Sequence, residues 1–141
     1  MSYIIRSWDK VEGEDAVAVT ELLKDSAELA NMDAVDKYGR CALSIAAEMG
    51  KTGIVEALLA AGANPNTRME NNITPVYVAS SYGKIDTVKA LIENGGDVNA
   101  AAELLLWWTK EVKVTPLKRA KDQGHKDIAA YLEGKGAKME V

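Results

Sequence analysis

Phenylalanine is absent from this 141-residue chain, and aromatic residues make up only 6% of it. With 48% hydrophobic content the chain can still bury a core, most simply as one domain. That core must be built from alanine, leucine, valine and isoleucine, side chains that suit close helix-on-helix packing. A single cysteine, Cys41, excludes an internal disulfide framework and most thiolate metal sites. No apolar run reaches the roughly 18 residues of a membrane-spanning helix. A basic start followed by an apolar stretch and a small-residue cleavage site is also missing. The expectation is therefore an intracellular chain, cytoplasmic in the first instance, without a membrane partner. A strong basic excess is lacking too: the formal charge is −4, which argues against nucleic acid as the main partner. The charge is unevenly spread. Residues 1–36 hold three Lys/Arg against nine Asp/Glu, a balance of −6, and residues 110–141 hold eight against five, a balance of +3.

What the chain does have is a period. Residues 36–66, DKYGRCALSIAAEMGKTGIVEALLAAGANPN, fall without a gap on residues 69–99, MENNITPVYVASSYGKIDTVKALIENGGDVN, after a shift of 33. Gly50 meets Gly83, Lys51 meets Lys84, Val55 meets Val88 and Gly62 meets Gly95. A third copy, TPLKRAKDQGHKDIAAYLEGKGA, spans residues 115–137, but its threonine lies 41 residues after Thr74, eight more than the period allows. Each unit reads as two helices. The first ends at a glycine, the residue best able to take a left-handed turn. The second carries apolar pairs such as Ile54-Val55 and Leu58-Leu59 along one face. Thr74-Pro75 and Thr115-Pro116 set a capping hydroxyl before a proline at the first helical position, where a missing N–H costs nothing.

This unit resembles the ankyrin repeat: a turn, two antiparallel helices and the pattern G-x-TPLHxAA…G…LLxxGAdvN. The resemblance covers residues 36–101 and 115–137. Cys41-Ala42 departs from Thr-Pro, Asn72 stands where the turn glycine usually falls, and Ser44, Tyr77 and Lys118 replace the motif histidine. The resemblance implies an all-α solenoid of about four helix-turn-helix units in one domain. Residues 1–35 form a degenerate N-terminal cap, 36–68 and 69–101 two repeats, 102–114 a hairpin-like insertion, and 115–141 a C-terminal cap repeat.

Candidate catalytic chemistry does not survive the register. Gly50-Lys51-Thr52 looks like the end of a phosphate loop, but Ile45 occupies the position where the upstream glycine is required. The recurrence as Gly83-Lys84 explains the pair as structure. Cys41 and His125 fall two units apart, too far to act as nucleophile and base. Asn72-Ile73-Thr74 is more simply a turn and a helix cap than a glycosylation site. No cofactor, no metal and no enzymatic activity are expected.

In ankyrin repeats the turn tips and the outward side of each first helix carry binding. Carried onto this sequence, those positions are Lys37, Tyr38, Arg40, Glu48 and Met49 in one unit. In the next they are Glu70, Asn71, Ile73, Ser81 and Tyr82, and in the last, Asp122 and Gln123. Tyr and Arg are frequent interface anchors, and Ile73 is expected to be an exposed apolar tip. The insertion adds Trp107 and Trp108. Its second half, Thr109 to Val114, alternates polar and apolar as a one-sided strand does, while Leu104 to Trp108 reads equally as a paired strand or a short helix. Three fates for its apolar side chains stay open: a local mini-core, a projecting finger that anchors a partner, and a homodimer contact. The function expected is a non-enzymatic adaptor or inhibitor, monomeric, that binds a protein partner. A self-associating regulatory subunit is the alternative.

Overall fold

The computed structural model describes residues 41–104 and 112–139. Within them three helical hairpins follow one another. The first is α1 (Ala42–Met49) and α2 (Thr52–Ala60), the second α3 (Pro75–Tyr82) and α4 (Ile85–Glu93), and the third α5 (Pro116–Asp122) and α6 (Lys126–Gly134). The N-terminal cap unit expected over residues 1–35 lies outside the described residues. First helices stack on first helices, α1 on α3 on α5, and second helices on second helices, α2 on α4 on α6.

Each hairpin turns where the period places a glycine. Gly50, Gly83 and Gly124 have φ of 71°, 75° and 78°, the left-handed conformation in which a side chain is strained. The residue after each one donates its N–H back to a carbonyl five positions earlier: Lys51 to Ala46, Lys84 to Ala79 and His125 to Ala120. Three identical closures fix three identical bends. At the other end, Thr74 Oγ accepts from the Tyr77 N–H and Thr115 Oγ from the Lys118 N–H, each with proline next in the chain. Where Cys41 replaces threonine, Ser44 closes the helix start instead. Its hydroxyl donates to the Cys41 carbonyl at 2.8 Å and accepts the Cys41 N–H at 3.1 Å.

One continuous core runs through the stack. Ile54, Val55 and Leu58 of α2, Val88 and Leu91 of α4, and Ile128 and Leu132 of α6 are all buried in it. Asparagines one period apart tie the loops together. Asn66 Nδ2 donates to the Gly95 carbonyl and Asn66 Oδ1 accepts the Asp97 N–H, while Asn99 Oδ1 accepts the Lys138 N–H.

One core position is poorly matched to its surroundings. The Ser80 side chain is fully buried, and its hydroxyl has no hydrogen-bond partner among the described residues. One repeat earlier the equivalent residue is Ala47, also fully buried. Burying an unpaired hydroxyl costs about 1–3 kcal/mol. Ser80→Ala should therefore stabilise the protein by about 1 kcal/mol in urea denaturation, and a lower midpoint would contradict this account.

Beside the helices the described residues form one short sheet. The two ends of the insertion pair as an antiparallel ribbon, β1 (Ala102–Leu104) with β2 (Val112–Val114), in the register Ala102–Val114, Glu103–Lys113 and Leu104–Val112. A second, smaller core forms beneath it from Tyr77, Ala102 and Val114, with Ile73, Leu104 and Val112 packed around them. Leu104 thus takes the strand alternative left open by the sequence. Leu105 to Glu111, including Trp107 and Trp108, lie outside the described residues.

Candidate functional site

The tip of the middle unit is a turn over Glu70–Asn72, closed by the Met69 N–H donating to the Ile73 carbonyl at 2.8 Å. Asn71 and Asn72 both have positive φ, 60° and 57°. Asparagine is among the few residues that take this region readily, which accounts for Asn72 at the turn-glycine position.

Between this tip and the first helices α1 and α3 lies a groove of about 310 Å³. Six of the surface residues singled out from the sequence line it: Glu48, Glu70, Asn71, Ile73, Ser81 and Tyr82. They come from two consecutive units, so the stacking of α1 on α3 brings them together. Tyr82 is 54% exposed, a large aromatic ring left in solvent at the end of α3. The nearby Glu48 charge, with some burial, pushes its phenol above the ordinary value. Arg119 of α5 donates through Nε to Ser81 Oγ at 3.1 Å, and the His125 ring reaches the Ser81 carbonyl through Nε2 at 3.1 Å. Two contacts from the third unit therefore hold Ser81 in place.

The remaining sequence candidates divide. Met49 is 38% exposed but does not line the groove. Asp122 and Gln123 are exposed at the end of α5, with Asp122 paired to Lys118 at 3.4 Å. Lys37, Tyr38, Arg40, Trp107 and Trp108 lie outside the described residues. The expectation that Ile73 is a freely exposed tip residue is corrected: it is half-buried, because the β1–β2 ribbon folds against it. Four lining residues were not singled out from the sequence: Ser44, Met69, Tyr77 and Val78. Of these, Tyr77 carries a signal in hindsight, since it stands at the motif histidine position. Its ring spans the small core and the groove, and burial raises its phenol above the ordinary range.

Among the described residues no group of three or more His, Cys, Asp or Glu is placed to hold a metal ion. No helix among them is long and apolar enough to cross a membrane.

A stack of near-identical helical hairpins, bent at left-handed glycines and linked by asparagines, is a helical repeat solenoid. The family described as ankyrin repeats matches three copies over residues 11–102 and 61–141, and the chain belongs to that family. Its repeats are accordingly of the kind that mediates protein–protein interaction. Among curated relatives, an ankyrin repeat-containing protein of Schizosaccharomyces pombe is 49% identical over 39% of this chain, which spans 27% of that protein's length. Two relatives match over most of both chains. Cyclin-dependent kinase inhibitor 2A of Monodelphis domestica is 31% identical over 89% of this chain and 70% of its own length. Cyclin-dependent kinase 4 inhibitor B of Rattus norvegicus is 33% identical over 73% of each.

Proposed function

We propose that the protein is a non-enzymatic adaptor or inhibitor that captures a protein partner in the groove between its first helices and the middle turn tip. The observation that carries this reading is the convergence of Glu48, Glu70, Asn71, Ile73, Ser81 and Tyr82 on one concavity. The groove is also held rigidly. Its tip is closed by a backbone hydrogen bond, its floor rests on the ribbon core, and Ser81 is fixed from the next unit. A site that is already ordered loses little entropy on binding. The partner's exclusion from other contacts would be steric, with no reaction involved.

Two relatives of comparable length are named as cyclin-dependent kinase inhibitors. A cyclin-dependent kinase is therefore the first partner to try. The test is affinity capture from native lysate, with mass spectrometry of what is retained, on wild type and on Tyr82→Ala. Removing an exposed aromatic anchor at an interface centre should reduce retention at least about tenfold. A partner held equally by both proteins would place the interface elsewhere.

A further inference from the structure

Resting on that docking reading, we propose that the groove receives an arginine side chain presented by an extended segment of the protein partner. Two carboxylates, Glu48 and Glu70, line the groove, and no Lys, Arg or His does so among the described residues. Neither carboxylate forms an ion pair among the described residues, and the three cations of α5 have other contacts. Arg119 is bound to Ser81, Lys118 to Asp122, and Lys121 to Glu133 at 2.7 Å. The groove thus carries two carboxylates with no ion pair among the described residues, and an acidic segment would meet two like charges there.

The walls select further. Met69, Ile73 and Val78 are apolar and suit the methylene stem of a long basic side chain. The Tyr82 ring, more than half exposed, offers a face on which a planar cation stacks. Glu48 lines the same groove as Tyr82, so carboxylate and ring can face one ligand. A guanidinium can meet a carboxylate through two parallel N–H donors while lying against a ring, and an ammonium cannot do both. This favours arginine over lysine. At about 310 Å³ the groove has room for one long side chain.

The test is an amide chemical-shift titration of the ¹⁵N-labelled full chain with three capped tripeptides, Gly-Arg-Gly, Gly-Lys-Gly and Gly-citrulline-Gly. Citrulline keeps the shape of arginine without its charge. The expected result is saturable shifts centred on Asn71, Ile73, Ser81 and Tyr82 with the arginine peptide. Binding should be about tenfold weaker with citrulline, as a charge-assisted pair implies, and intermediate with lysine. Glu48→Gln/Glu70→Gln should erase the difference between arginine and citrulline, with the other amide resonances unmoved. Equal binding of arginine and citrulline, or no saturation by about 50 mM, a concentration well above a millimolar dissociation constant, overturns the proposal. The captured partner separates the two readings. If Tyr82→Ala loses it and Glu48→Gln/Glu70→Gln retains it, the groove docks a partner but not through arginine. If both retain it, the docking reading itself falls.

Discussion

Replacing Gly83 with valine is expected to destabilise the protein by about 2–6 kcal/mol, more than the same change at either equivalent glycine. Two costs add at this position. A β-branched residue at φ 75° is held in a conformation it rarely adopts, about 1–3 kcal/mol. A Cβ built on Gly83 would also lie 2.7 Å from the His125 ring. That ring is not free to retreat, because its Nε2 is bound to the Ser81 carbonyl at 3.1 Å. Overpacking against a fixed group adds about 1–3 kcal/mol. Gly50 shares the backbone geometry, but its Cβ would meet the Lys84 side chain, whose nearest atom is a flexible methylene. At Gly124, φ is 78° and nothing lies within 4 Å of the added atom, so only the backbone cost remains. Urea denaturation of the three valine variants should rank them Gly83 well below Gly50, with Gly124 least affected. Equal losses at all three would show that the His125 contact contributes nothing to the stacking of the second and third units.

The same glycines explain why so much of the fold was legible. A residue that takes a left-handed bend without strain punctuates the sequence at each hairpin, and threonine-proline pairs mark two helix starts, so periodicity and capping chemistry agree. The outward positions of the tips and first helices follow from that register, and six of them line the groove. What the register could not show is contact between segments outside it. Ile73 reads as exposed because a turn tip is exposed in an isolated repeat. It is half-buried because the ribbon formed by the insertion's two ends folds back on α3, and no periodicity encodes where an insertion lands. Ser81 looks like an ordinary polar surface residue, yet it receives Arg119 from a unit 38 positions away. Met69 and Val78 are groove walls for the same reason: their role depends on how two units meet, while their identity only says that they are apolar.

Leu91→Ala is expected to do more than lower the denaturation midpoint: it should split one unfolding transition into two. Leu91 is fully buried in α4, the middle second helix, which packs on α2 before it and α6 after it. Truncating a buried leucine costs about 3–5 kcal/mol, from lost transfer free energy and the cavity left behind. In a solenoid, stability is a sum of unit terms and neighbour interfaces, and cooperativity depends on those interfaces. Loosening the middle unit weakens both at once, so the outer units lose the coupling that makes them melt together. Leu132→Ala provides the contrast. Leu132 is equally buried, in α6 of the last hairpin, whose neighbouring unit among the described residues is the middle one. Its truncation should cost a similar amount of local stability but release the C-terminal hairpin first, with the preceding units unfolding near the wild-type midpoint. Hydrogen exchange distinguishes the outcomes. For Leu132→Ala, protection should fall in α5 and α6 and persist in α1 to α4. For Leu91→Ala it should fall in α3 and α4 and, through the lost interfaces, partly on both sides. A single, uniformly shifted transition in both variants would mean that the repeats fold as one indivisible core, and the neighbour-by-neighbour account of this stack would be wrong.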